Sequence, residues 1–167
     1  IIKCPKPIIA EVEGTATAAG CQLVASCDLA YASSSAKFAT PGVNIGLFCS
    51  TPMVAISRNL SNKHSMEMLL TGELISSDKA AKIGLINDVI EINKLKDFTL
   101  DKAQKISKKS SVTLKIGKEA FYKQLDMKLS DAYDYASKVM VQNMLKLDAK
   151  EGIDAFIDKR EPNWKDK

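Results

Sequence analysis

Up to residue 90, short apolar runs of strand type alternate with helices built from Ala and other small residues, and after residue 90 no strand pattern returns. That order constrains the chain more than any other feature. Strands alternating with helices bury themselves as an α/β layer, whereas an unbroken helical series packs helix on helix. Residues 7–12 read as a strand ended by Gly14, 18–27 as a helix with Leu23, Val24 and Cys27 on one face, and 28–32 and 37–39 as further strands. Residues 52–58 suit a helix with Pro52 in its first turn. Residues 62–70 read as a helix stopped at Thr71-Gly72, and 79–83 as one capped by Ser76-Ser77-Asp78 and closed by Gly84. Residues 85–90 read as a last strand. Beyond Asn93, Leu95, Phe98, Ala103 and Ile106 form one apolar stripe, and Leu129, Tyr133, Met140 and Met144 mark a long amphipathic helix. The expected organisation is an α/β module over 1–90 and a helical module over 91–167.

At 167 residues, with 46% hydrophobic and 26% charged side chains, the chain excludes the disordered, collagen-like and disulfide-scaffold classes. No apolar run approaches the roughly 20 residues needed to cross a bilayer. Residues 1–90 carry seven basic and seven acidic side chains, so the net +4 arises from the later half. That basic half admits an anionic partner or a solvated Lys-rich face, but no Arg-rich stripe with interleaved aromatics points to nucleic acid. Cys4, Cys21, Cys27 and Cys49 form no C-x-x-C pair, and His64 lies far from all of them, so no metal site is expected. Free thiols fit a reducing compartment.

The segment Gly14-Thr15-Ala16-Thr17-Ala18-Ala19-Gly20-Cys21-Gln22-Leu23 leaves a strand, passes through small residues and enters a helix. Small residues permit close approach to the backbone, and a helix's first turn offers unpaired N–H donors. Such a place can hold an anion or a carbonyl oxygen gaining charge. Taken alone, such residues at a helix start more often serve tight helix–sheet packing.

The runs Pro7–Gly14, Ala18-Ala19-Gly20-Cys21-Gln22-Leu23 and Cys27-Asp28 together resemble the crotonase (enoyl-CoA hydratase/isomerase) superfamily. The resemblance continues through Phe38-Ala39-Thr40-Pro41, Asn44-Ile45-Gly46, Leu69-Leu70-Thr71-Gly72 and Ala155-Phe156-Ile157-Asp158-Lys159-Arg160. It implies a crotonase-like (ClpP/crotonase) α/β spiral of ββα units followed by an α-helical trimerisation region. The chain opens Ile1-Ile2-Lys3 without an initiator Met, and the resemblance places an N-terminal part of the fold before it. Family members bind acyl-CoA and hold the thioester oxygen with two backbone N–H groups. One falls on Ala19; the other belongs to an upstream turn, so half an oxyanion hole is expected here.

Hydratases of the family use two glutamates as acid and base, and those positions hold Gln22 and Gly42. An amide cannot exchange a proton near neutral pH and glycine has no side chain, so steps usually contributing about 10²–10⁴-fold each are expected to be lost. Ser50 falls near the acidic position of other family reactions; Cys49, Ser50 and Thr51 are candidate nucleophiles or donors. The plainer reading has Ser50 or Thr51 cap the helix at Pro52. Phe156 and Lys159 fall where family members reach the adenine and phosphates of CoA, commonly in a neighbouring subunit.

The resemblance therefore implies an acyl-CoA-binding protein of fatty-acid metabolism with weak, altered or absent catalysis. Alternatives are an active hydratase/isomerase using other residues, and a non-catalytic partner modulating crotonase assembly. No tightly bound cofactor is expected; coenzyme A thioester is substrate or ligand. The partner set is acyl-CoA and a homo-oligomer, trimer or dimer of trimers, with no nucleic acid and no membrane span. The location implied is the mitochondrial matrix, otherwise the cytoplasm.

Overall fold

The structure, a computed structural model, describes residues 1–167. The chain divides into two compact units, Ile8–Ala103 (with Ile1) and Gln104–Lys167 (with Ile2–Pro7).

In the first unit, strands β1 (Ile9–Val12) and β2 (Thr15–Thr17) lead into helix α1 (Ala19–Ser26). Strands β3 (Leu29–Ser33) and β4 (Lys37–Ala39), a 3₁₀ turn over Pro41–Ile45 and helices α2 (Ser50–Ile56) and α3 (Asn62–Thr71) follow. Strand β5 (Ile75–Ser76), helix α4 (Ser77–Ile83), strand β6 (Asp88–Ile90) and helix α5 (Ile92–Ser107) complete the series. Each turn of chain gives one strand to each of two sheets, ordered β1-β3-β6 and β2-β4-β5. All pairings are parallel except β4 with β5. This is the α/β alternation that the sequence pattern implies, arranged as the spiral that the family resemblance implies.

Small side chains explain the close packing. Ala16, Ala30 and Ala32 are buried along the strands and Ala36 in the turn before β4, which leaves room for Phe38, Ile56 and Met68. Each of the larger three contributes about 1.5–3 kcal/mol by leaving water. Asp28 anchors the start of β1 by accepting the Ile8 N–H at 2.7 Å, and Asn59 ties α1 to α2 by donating to the carbonyls of Ala25 and Ala55 at 2.8 Å. Helix α5 buries Leu95 and Thr99; the Thr99 hydroxyl donates to the Glu11 carboxylate, and Phe98 meets Tyr31 edge-on at 5.1 Å. The helical series begins near residue 90, but the first unit continues through most of α5.

Several local expectations change. Thr15–Thr17 is a strand, because its backbone pairs with β4; the sequence alone suggested only a small-residue turn. Helix α2 begins at Ser50, with Cys49 at its N-cap and no side-chain cap bond, so neither Ser50 nor Thr51 caps it. Ser61 and Ser76 do cap, accepting the N–H groups of His64 and Lys79. His64 lies at the surface beside Glu67.

The second unit holds helices α6 (Ser111–Gln124), α7 (Leu129–Met144) and α8 (Leu147–Ile157). Helix α7 buries none of its residues; Leu129, Tyr133, Met140 and Met144 are all more than half exposed. The C-terminal tail folds back within this unit: Trp164 donates its indole N–H to the Lys108 carbonyl at 2.8 Å, and its ring lies against Gly152.

Candidate functional site

The parallel register that sets Thr17 opposite Ala39 aligns the entry to α1 with the chain after β4. The Ala18 N–H donates to the Ala39 carbonyl at 3.0 Å and locks the two segments together. Ala18 itself adopts φ 48, ψ −113, a conformation that suits glycine far better than alanine. That turn starts α1 abruptly at Ala19. The Ala18 carbonyl accepts the first helical bond, from Gln22 N–H at 3.0 Å, so the N–H groups of Ala19, Gly20 and Cys21 have no acceptor within the helix. Ala19 is exposed and Gln22 half-buried.

Gly42 stands on the facing segment, in the 3₁₀ turn after Thr40, whose hydroxyl donates to the Met68 carbonyl at 2.8 Å. The Leu47 N–H returns to the Gly42 carbonyl at 3.0 Å, closing the loop. A Cβ placed on residue 42 would meet the Leu47 oxygen at 2.6 Å and the Cys49 sulfur at 2.9 Å. The space is therefore already filled. The Gly42 N–H donates to that sulfur at 3.3 Å.

Cys21 is fully buried on the inner face of α1; burial, and secondarily the neighbouring Cys49, push its thiol up to about 12. Cys49 thus touches Gly42 and interacts with Cys21 at once, a link that the sequence spacing does not reveal. Ser50 points its hydroxyl back to the Phe48 carbonyl at 3.3 Å, where it serves as a local turn bond rather than beside a base. No aspartate or glutamate occurs between Asp28 and Glu67, the stretch that supplies α2 and the loop before it. No group of His, Cys, Asp and Glu is arranged to hold a metal ion.

In the helical unit, Phe156 is 85% exposed and Lys159 lies just past the end of α8 with φ 54. Phe156 is therefore not a core side chain. Glu151 and Arg160, which the sequence reading passed over, form a two-pronged ion pair at 2.7 and 3.1 Å. The spacing of nine residues across a helix end carries no pattern that would have revealed it.

A family model described as enoyl-CoA hydratase/isomerase matches residues 1–167. The mouse enoyl-CoA hydratase domain-containing protein 3, mitochondrial, is 54% identical over 160 residues, which cover 96% of this chain and 53% of that protein. A crystal structure of the human protein of that name is similar at TM-score 0.96 and 51% identity, covering 98% of this chain and 65% of the other. A crystal structure of an enoyl-CoA hydratase from Mycobacterium smegmatis is similar at TM-score 0.96 and 48% identity, covering 98% of this chain and 64% of the other. The chain spans about half the length of the curated relatives it matches.

Proposed function

The chain belongs to the enoyl-CoA hydratase/isomerase family, and on that premise we propose that it binds an acyl-CoA thioester in fatty-acid metabolism with hydration weak, altered or absent. The Ala19 N–H, at the positive end of α1, is the donor for the thioester oxygen, where it favours developing negative charge. The observation that carries the second half of the reading is the absence of a carboxylate at both expected places. Gln22 offers an amide, and the space beside Gly42 is taken by the Leu47 carbonyl and the Cys49 sulfur. Water activation and proton return need groups that titrate, and Cys21 stays protonated at neutral pH.

Lys159 and Phe156 are the residues for the nucleotide end of a coenzyme A, commonly one held by a neighbouring subunit in the family, an ammonium for phosphate and a ring for adenine. The thioester is ligand rather than resident cofactor. The relatives named mitochondrial support a mitochondrial location. The exposed stripe of α7 supports a homo-oligomer, trimer or dimer of trimers, in which another subunit covers it.

The experiment is a thermal-shift titration with a medium-chain acyl-CoA, run beside a crotonyl-CoA hydration assay. Saturable stabilisation without hydration above the free-solution rate is expected. No shift at millimolar ligand overturns the binding reading. Hydration that persists undiminished in Gln22→Ala favours an enzyme using other residues.

A further inference from the structure

Helix α8 ends in a left-handed turn closed by two backbone bonds. The Arg160 N–H donates to the Ala155 carbonyl at 3.0 Å, and the Lys159 N–H to the Phe156 carbonyl at 3.3 Å. This pair of bonds is the Schellman motif, whose left-handed position is usually glycine. Here it is Lys159, one of three non-glycine residues with positive φ. A Cβ in that conformation crowds the neighbouring carbonyl, so the arrangement persists only where its surroundings enforce it.

The surroundings are explicit. The Arg160 guanidinium donates to both oxygens of Glu151, at 2.7 and 3.1 Å, and to the Glu161 carbonyl at 3.3 Å. Glu151 also accepts the Asn163 N–H at 2.7 Å, which ties the tail beyond Arg160 to α8. Arg160 additionally pairs with Asp158 at 3.5 Å, while Asp154 is taken by Lys150 at 2.6 Å. The three carboxylates along this end of α8 are therefore all engaged by other cations. Lys159 pairs with none of them, and Phe156, three residues away, is the most exposed large apolar side chain of the chain. Backbone strain alone would favour glycine at 159.

We propose that the Glu151–Arg160 pair is a positioning clamp, which holds the left-handed backbone at Lys159 and withholds Glu151 and Asp158 from it, so that its ammonium stays uncommitted for a phosphate-bearing ligand. This deepens the acyl-CoA reading and rests on it: the phosphates are those of coenzyme A. Glu151 and Arg160 act through Lys159 and do not themselves touch the ligand.

Calorimetric titration of the intact chain with CoA and with pantetheine, which lacks phosphate, tests the clamp in wild type, Lys159→Gly, Glu151→Gln and the double variant. Lys159→Gly raises the melting temperature by relieving strain and weakens CoA about tenfold, with pantetheine unchanged. Glu151→Gln weakens CoA several-fold, again sparing pantetheine, and adds nothing when Lys159 is already Gly. Equal losses for CoA and pantetheine, multiplying losses in the double variant, or unchanged CoA affinity in Lys159→Gly overturn the clamp while leaving acyl-CoA binding intact. Failure of the wild type to bind either probe removes the acyl-CoA reading and the clamp with it.

Discussion

The Gly42 N–H donates to the Cys49 sulfur at 3.3 Å, and the same sulfur stands 2.9 Å from where a side chain on residue 42 would begin. On the proposed reading, residue 42 stands where a glutamate would act. The loop fills the space for such a side chain, because the Leu47 N–H binds the Gly42 carbonyl and the Leu47 oxygen lies 2.6 Å from the same point. Gly42→Glu must therefore displace backbone, at a cost of about 1–3 kcal/mol or more. The Gln22→Glu/Gly42→Glu double variant is expected to unfold at lower urea and still to lack crotonyl-CoA hydration. A double variant as stable as wild type would show that the loop yields easily.

Ala18 carries φ 48 at the entry to α1, where glycine is at home. Ala18→Gly relieves that strain but enlarges the freedom of the unfolded chain, so the net gain is about 1 kcal/mol or less. Ala18→Val, β-branched in a left-handed position, moves the other way by more. Urea denaturation of the three proteins ranks them Gly, Ala, Val in falling midpoint; Val equal to Ala would contradict the strain.

Much of the first unit was legible because its elements carry their own signatures. Asn62–Thr71 starts at a capping Ser61 and stops at left-handed Gly72, and Ser77–Ile83 starts at Ser76 and stops at Gly84. The strand Thr15–Thr17 was not legible, since three small or polar residues become a strand only through pairing with Lys37–Ala39. Of the proposed site, the family resemblance assigned Ala19, Gln22 and Gly42, whereas the contact of Gly42 with Cys49 depends on how the intervening loop folds back and was not legible. Lys159 hid its left-handed turn for a related reason: that turn is recognised by glycine, and glycine is what it lacks. The stripe on α7 was legible as an apolar face, and none of that helix is buried in this chain.

Cys21 is fully buried, and its thiol is pushed up to about 12, so on the order of one in 10⁵ is ionised at neutral pH. Cys4 is only half-buried, so reagent reaches it more readily. Alkylation with iodoacetamide at neutral pH, followed by peptide mass analysis, is expected to modify Cys4 early and Cys21 only under denaturing conditions. Early labelling of Cys21 in the folded protein would mean that α1 opens readily.

The C-terminal tail is fastened by carboxylates whose protonation should release it. Asp148 is almost fully buried and accepts the N–H groups of Lys165 at 2.7 Å and of Asp166 at 3.1 and 3.2 Å. Burial alone would raise its pKa, but the Ser110 hydroxyl and the backbone N–H donors outweigh that and hold it below the ordinary carboxylate value. Glu151 is held down to about 2, chiefly by Arg160 and then by the Asn163 N–H. Both carboxyls bind protons more weakly folded than unfolded, so acid favours the unfolded or released form. Their contribution is complete above the unfolded values near pH 4–5 and is lost as pH falls toward 2. Hydrogen exchange at the Lys165 and Asp166 amides should stay protected at pH 5 and lose protection progressively below pH 4, after correction for intrinsic exchange. Asp148→Asn should expose both amides at pH 5 and flatten the profile there. Protection that survives in the variant would place the fastening of the tail elsewhere, on the Trp164 bond to Lys108 and the Asp166 bonds to Ser111.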